Sequence, residues 1–217
     1  MARVLVGCEC SGRVREAFRR RGHDAWSCDM EPAEDGSPYH IRGNVLDVLG
    51  DGWDLGIFHP PCTYLTNAGA RWLFIGGRKI NGRDESRWAG LDAGANLFNR
   101  CLTAPIQRIA VENPWPHTWA VQLIGRPDQK AQPWWFGDKQ KKGLCLWLQN
   151  LPLLVKDNDV GPPPPRGTEE AKAWEFVWRC STKNRARDRS RTFPGFARAM
   201  ADQWGPLLSG DTPCSAS

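Results

Sequence analysis

Residues 1–30 constrain the fold more than any other stretch of the chain. Arg3-Val4-Leu5-Val6 is a short apolar run with strand character, followed by a small-residue turn from Gly7 to Gly12. Val14 to Arg21 then follows helical spacing, with Val14, Ala17 and Phe18 on one face, and Gly22 closes the helix. His23 to Cys28 reads as a second strand that finishes on Asp29. This is one βαβ unit with a glycine turn after the first strand and an acid after the second. That pattern suits a nucleoside-bearing cofactor, because the turn lets a ligand approach the backbone and the acid can hold ribose hydroxyls. Glu9 inside the turn disfavours a pyrophosphate and tolerates a cofactor without one.

The alternation continues. Trp53 to Phe58 is a strand that runs into His59-Pro60-Pro61-Cys62, where the prolines forbid strand or helix interior. Residues 66–88, with Arg71, Arg78, Lys79, Arg83 and Arg87 around Trp72 and Trp88, read as a mobile basic loop. A helix over Leu91–Leu102 and a strand from Arg108 to Val111, ending on Glu112-Asn113-Pro114, follow. Leu144 to Leu148 is a further strand, Gly161 to Gly167 a proline-rich loop, Ala171 to Trp178 a short helix, and Phe193 to Trp204 an amphipathic one. Alternating strands and helices imply an α/β domain with a mainly parallel sheet, whose ligands sit at the carboxyl ends of the strands. Asp29, Cys62 and Glu112 all fall at such ends.

Composition narrows the function. The 217 residues are 41% hydrophobic and 24% charged, which excludes a disordered or fibrous chain. No apolar run approaches the ~20 residues of a membrane helix, and the N-terminus lacks the apolar stretch of a signal peptide, so a cytoplasmic protein is expected. Lys and Arg number 29 against 24 Asp and Glu, a mild excess concentrated in Arg179, Lys183, Arg185, Arg187, Arg189, Arg191 and Arg198. Such a run is either a solvated face or a polyanion site. The 8 cysteines form no Cys-x-x-Cys pair and no zinc set, so reduced thiols and no metal are expected. The 12 tryptophans are many for this length, and Trp72, Trp88, Trp115, Trp119, Trp134 and Trp135 sit beside charges or turns, where aromatics can stack on bases.

Two sites carry chemistry. Cys62, held at a strand end behind two stiff prolines, is a ready nucleophile, whereas Cys145 lies inside an apolar run as a structural thiol does. His59 is close in sequence but is separated by both prolines, so a Cys–His hydrolase dyad is not read. Glu112 puts a carboxylate at the next strand end, able to hold or protonate the ring of a pyrimidine.

The order of Gly7-to-Gly12, Asp29, Gly43-Asn44-Val45-Leu46-Asp47, Pro61-Cys62 and Glu112-Asn113 resembles the cytosine-5 DNA methyltransferases, most of all their short phage-type members. The match covers roughly residues 3–115. A weaker one covers Lys139-Gln140-Lys141-Lys142, where the family has a Gln-x-Arg-x-Arg motif. Arg191 to Gly195 looks like the terminal motif that returns to the cofactor pocket. Here Thr63 stands in place of the family's Gln after Pro-Cys, Cys8 and Cys10 alter the glycine turn, and Leu144 replaces the second motif arginine.

The resemblance implies a Rossmann-like fold that uses S-adenosylmethionine, with a reduced, Trp-rich small lobe. Residues 1–128 would be the catalytic and cofactor-binding core, 129–189 a reduced target-recognition region, and 190–217 a helix returning to the core with a flexible tail. Catalysis would fall to Cys62, Glu112, Asn113 and Lys142. The cofactor would lie on Gly7, Cys8, Glu9, Ser11, Gly12, Asp29, Met30, Asn44, Val45, Pro60 and Thr192. DNA would meet Thr63, Asn67, Arg71, Arg78, Lys141, Arg185, Arg187 and Arg189, with Trp72, Trp88, Trp134 or Trp135 filling the gap left by a flipped base. The expected partner is double-stranded DNA and the expected state a monomer, in a bacterial cell or one infected by phage, in the setting of restriction and modification. Only about fifty residues lie between Leu144 and Phe193, which leaves room for short or relaxed specificity. It also leaves open a modifier of free deoxycytidine nucleotides, or an inactive relative that binds DNA. His59-Pro60-Pro61-Cys62-Thr63-Tyr64 faintly echoes the Asp-Pro-Pro-Tyr turn of amino-methyltransferases, but His59 stands where they have Asp or Asn.

Overall fold

The computed structural model describes residues 1–175 and 185–208, the side chains of 185–187 excepted. The strands are β1 (Arg3–Gly7), β2 (Asp24–Asp29), β3 (His40–Arg42), β4 (Leu55–Phe58), β5 (Arg108–Asn113), β6 (Gln129–Ala131) and β7 (Leu144–Gln149). They form a seven-stranded sheet in the order β3-β2-β1-β4-β5-β7-β6. β3, β2, β1, β4 and β5 pair in parallel, and β7 enters antiparallel between β5 and β6. The fold is therefore α/β with a mainly parallel sheet, consistent with the Rossmann-like methyltransferase architecture that the resemblance implies. The strand order turns back between β1 and β4, and in open sheets of this kind that is where ligands bind.

The helices are α1 (Arg13–Arg19), α2 (Asn67–Ala70), α3 (Glu85–Leu102), α4 (Thr118–Ile124), α5 (Glu169–Ala173), α6 (Arg185–Ser190) and α7 (Pro194–Trp204). The sheet is covered on both sides, so alternate strand residues serve different layers. Val4, Val6, Ile57 and Ala110 pack with α1 and α7, including the fully buried Phe18, Met200 and Trp204. Leu5, Phe58, Ile109 and Val111 pack against α3 and α4 through Leu91, Phe98, Ala120 and Ile124. Burying each such large side chain contributes about 1.5–3 kcal/mol.

Two stretches differ from the sequence expectation. Residues 66–88 are not a loose loop: α2 is followed by 3₁₀ turns at Arg71–Leu73, Ile75–Gly77 and Lys79–Asn81. Phe74, Trp88 and Trp119 lock them edge to face, and the Trp88 indole donates to the Leu73 carbonyl at 2.9 Å. Second, α3 begins at Glu85 rather than Leu91, because the Asp84 carboxylate accepts from the Arg87 amide at 3.2 Å and caps it. Arg15 sits on the buried face of α1, fully enclosed. Its guanidinium donates to Ser27 Oγ at 2.7 Å, to Glu16 at 3.0 Å and to Asp35, tying α1 to β2 and the loop after it.

Among the described residues no helix is long and apolar enough to cross a membrane, and no group of His, Cys, Asp and Glu could hold a metal ion. The six described cysteines are free thiols.

Candidate active site

Register builds the site. In the parallel β4–β5 pair, Phe58 lies opposite Val111, so His59, the first residue past β4, comes beside Glu112, near the end of β5 and still paired with Leu146 of β7. The chain after β4 is then laced to the end of β5 and the chain that follows it. Asn113 donates to the Pro60 carbonyl at 3.1 Å inside the protein. The Asn67 amide reaches the Trp115 carbonyl at 3.1 Å, and the His117 amide reaches Leu65 at 3.0 Å. His117 Nε2 donates to the Tyr64 carbonyl at 2.8 Å while its Nδ1 accepts from the Ala120 amide at 3.0 Å. Burial lowers the His117 pKa, which suits this neutral ring with one donor and one acceptor. The loop carrying Cys62 is thus held from both sides, with its thiol half-buried.

Charge converges on that thiol. Burial pushes the Cys62 thiol up, the Lys142 ammonium pulls it down, Glu112 pushes it up, and Arg189 pulls it down; the net direction is up. Lys142 Nζ donates to the Arg189 carbonyl at 3.3 Å, so the loop before β7 and helix α6 meet here. Glu112 is buried. Burial alone would raise its pKa, but the hydrogen bond from His59 and then the Lys142 charge hold it below the usual carboxylate range. Cys145 is the contrasting thiol: fully enclosed, it is pushed up to about 12 by burial and then by Glu112, too high to supply thiolate near neutral pH.

The four residues expected to be catalytic therefore come together: Cys62, Glu112 and Lys142 by mutual charge, Asn113 through the Pro60 carbonyl. Arg189, expected to meet DNA, belongs to the same cluster. Thr63, Asn67, Arg71 and Arg78 are exposed, the first two directly beside the Cys62 loop. Arg71 lies over the Trp72 ring at 4.5 Å, and Trp72 is itself exposed. The Lys141 amide donates to the Trp174 carbonyl at 2.9 Å. The side chains of Arg185 and Arg187 lie outside the described residues, as do Arg179 and Lys183 entirely. The basic run is partly neutralised within the fold: Arg191 pairs with Glu34 and Asp188, and Arg198 with Asp157 and Asp202.

The residues expected at the cofactor surround the β1 turn and its neighbours. Gly7 packs so tightly that a Cβ there would strike the Phe58 ring and the buried Val45 at 2.5 Å. Cys8 takes the left-handed backbone at φ 56°, and Gly12 does so at φ 72°, above the Arg15 guanidinium. Glu9 is buried. Its Oε1 accepts from Ser11 Oγ and from the Arg13 amide, and its Oε2 has no protein partner. Asp29 Oδ1 accepts from the Glu31 amide at 2.9 Å, Met30 is exposed, and Asn44 Oδ1 caps the Leu46 amide at 3.1 Å. Pro60 is buried, and the Thr192 carbonyl accepts from Arg13 Nη1 at 2.8 Å, which brings the start of α7 back to α1.

A cavity of about 680 Å³ lies elsewhere, against α1 and α7, and of these candidates only Ser11 and Gly12 line it. Its Arg21 and Arg198 are already paired with Asp202.

One pairing escaped the sequence reading, and one indole was named there only among those that can stack on bases. His59 was set aside as a partner for Cys62, yet its Nδ1 lies 3.2 Å from Glu112 Oε2. Its position immediately after β4, matching Glu112 after Val111, was the signal. Trp115, three residues beyond Glu112, was not among the indoles expected to fill a flipped-base gap. It is 42% exposed, with Lys130 over its ring at 4.1 Å. The indole also abuts Gly143, where a Cβ would strike Nε1. Trp88 instead packs with Phe74 and Trp119, and Trp134 tilts against Trp174.

No protein-family model matches the chain, and no curated protein does. Solved structures similar to it include a protein encoded within an E. coli prophage and assigned as a DNA modification methyltransferase. It shares 14% identity at a TM-score of 0.43, over 68% of this chain and 46% of that one. Another is a variant of DNMT2 from Spodoptera frugiperda, at 14% identity and a TM-score of 0.39, over 76% of this chain and 56% of that one. The chain thus spans about half the length of these structures. Neither likeness reaches the level of residues, so the site is read from its own chemistry.

Proposed function

We propose that the chain is a DNA (cytosine-5)-methyltransferase acting through Cys62. The observation that supports this most is the convergence of a half-buried thiol, a buried carboxyl with a free oxygen and a lysine at adjacent strand ends. A hydrolase would need a base on the thiol, and the nearby imidazole is turned to Glu112 instead. In this reading Cys62 Sγ adds to carbon 6 of cytosine while Glu112 gives a proton to N3, which makes carbon 5 nucleophilic. Asn113 keeps the Cys62 loop in place through Pro60, and Lys142 with Arg189 favours the thiolate.

Glu9 and Asp29 fit S-adenosylmethionine: a buried carboxylate with an unpartnered oxygen suits a cationic cofactor better than a pyrophosphate one. Gly7, Cys8, Ser11, Gly12, Met30, Asn44, Val45, Pro60 and Thr192 complete that site. When bound, S-adenosylmethionine supplies an electrophilic methyl group.

A duplex hides carbon 6 in its stack, so the base is flipped out. Thr63, Asn67, Arg71, Arg78, Lys141 and α6, with Arg185, Arg187 and Arg189, are the DNA-facing surface. Residues 129–189 serve as the reduced recognition region between the 1–128 core and the 190–217 segment. The enzyme works as a monomer in the cytoplasm of a bacterial or phage-infected cell.

Incubation with S-adenosylmethionine and a duplex containing 5-fluorocytosine tests this directly, because fluorine at carbon 5 blocks release of the cysteine. A denaturant-resistant adduct at Cys62 is expected. Cofactor binding without an adduct on duplex or single strand would overturn the reading in favour of free nucleotides or a binding-only protein.

A further inference from the structure

The His59–Glu112 pair is unlike anything else at the site. The His59 amide donates to the Gly7 carbonyl at 3.0 Å, which fixes its backbone at the seam of β1 and β4, and two prolines follow. Its side chain is 7% exposed and that of Glu112 10%. Their mutual contact uses Nδ1 and Oε2, and the two remaining polar atoms, Glu112 Oε1 and His59 Nε2, are buried without a protein partner. Leaving such atoms bare is costly unless a ligand meets them.

We propose that His59 is a positioning residue for Glu112, holding Oε2 so that Oε1 is the oxygen offered to N3 of the base and the oxygen that carries the acidic proton. This rests on the methyltransferase reading above. A carboxyl group can hold its proton on either oxygen. In this proposal His59 takes the tautomer with its proton on Nδ1, which donates to Oε2; a proton on Oε2 would then face another hydrogen, so the acid form protonates Oε1. As Sγ bonds to carbon 6, the C5=C6 pair shifts to C4=C5, the C4=N3 pair takes the proton at N3, and Oε1 gives it up. The carboxylate left behind keeps the bond from Nδ1–H. When Sγ leaves, the proton returns from N3 to Oε1. The other titratable groups facing Glu112 are Lys142 from the loop before β7, Cys62 from the loop after β4 and Cys145 on β7. Among the described residues, the hydrogen bond to the Glu112 side chain comes from His59.

Two measurements on the full chain test this. Carbon-13 NMR of labelled glutamate carboxyls, with E112Q identifying the Glu112 signal, follows its titration in wild type, His59→Leu and His59→Asn. Asparagine keeps a donor near the position of Nδ1 but does not titrate. The Glu112 midpoint is expected to move upward in His59→Leu, as burial acts without its hydrogen bond, and to return most of the way in His59→Asn. In parallel, adduct formation on the 5-fluorocytosine duplex is expected to slow about 100-fold in His59→Leu at saturating duplex, because misplacing Oε1 outweighs the larger share of acid form, with duplex affinity unchanged, and to recover in His59→Asn. An unmoved Glu112 titration in both variants overturns the proposal whatever the rates do. Equal loss in both variants, with duplex affinity also lost, overturns it in favour of a packing role. A displaced Glu112 titration in a protein that forms no adduct upholds the pairing and sinks the methyltransferase reading alone. Should His59→Leu unfold, His59→Phe, a ring of similar size without a donor, takes its place in both measurements, with the same expected upward midpoint and slowed adduct formation.

Discussion

The two ends of the strand-end crevice are built with opposite charge. At the β1 turn the groups that remain available are carboxylates: Glu9 keeps an unpartnered buried oxygen, while Arg13, Arg15 and Arg191 are spent on the Thr192 carbonyl, on Ser27 and Asp35, and on Glu34. At the β4 and β5 ends Glu112 also keeps an unpartnered oxygen, but the Lys142 cation acts on it. Lys142 and Arg189 stand over the thiol, and Arg71 and Arg78 are exposed beyond it. The contrast matches one end to a small cation and the other to a polyanion, so substitutions at the two ends should separate cofactor binding from nucleic-acid chemistry.

The largest effect is expected from Cys62→Ala. It should abolish both the fluorocytosine adduct and turnover while cofactor and duplex still bind, as read by intact-mass spectrometry and by equilibrium binding. Loss of cofactor binding in this variant would break the contrast between the ends. Next comes Glu9→Gln at the acidic end. Losing a buried charged partner should weaken S-adenosylmethionine by about 10- to 100-fold, measured by calorimetry, and leave duplex affinity alone. An unchanged cofactor affinity would remove the acidic end from the picture.

Lys142→Met addresses the basic end through pH. Burial already raises the Cys62 thiol and Lys142 opposes that rise, so removing the ammonium moves the thiol further up. The thiolate is the attacking form. The rising limb of the adduct-formation profile should therefore shift to higher pH, and the rate at neutral pH should fall several-fold. A shift to lower pH would mean that Lys142 acts on some other group.

Legibility in the sequence follows how local each cause is. β1 and its glycine turn, Cys62 behind two prolines and Glu112 at a strand end could be read because period and turn chemistry act within a few residues. The Cys62–Glu112 meeting was implied by the family resemblance and needs only that β4 and β5 be neighbours. His59 could not be read in the same way: its partner is set by the β4–β5 register, 53 positions along the chain. The burial of Arg15 is also non-local, because helical spacing alone does not reveal Ser27 and Asp35 beside it. The 66–88 segment looked loose because its order comes from Trp119, an aromatic contributed by α4. The antiparallel entry of β7 is equally non-local.

The smallest expected effect lies at the rim of the basic end. Arg71 and Arg78 are exposed, so each gains little from any single contact in water. Their contribution should show instead in the salt dependence of duplex binding. Each phosphate neutralised releases condensed counterions and adds about 0.9 to the slope of log affinity against log salt. Replacing both with alanine should flatten that slope by up to about 2, lower affinity alike on every duplex sequence, and leave the rate at saturating duplex unchanged. Trp72 complicates Arg71, since the guanidinium lies over its ring and its loss also bares the indole. Arg78→Ala alone is therefore the cleaner variant, with a slope change of about 0.9. If neither slope nor affinity moves, the DNA path does not cross the 71–88 segment, and the positive field at the thiol comes from Lys142 and α6 alone.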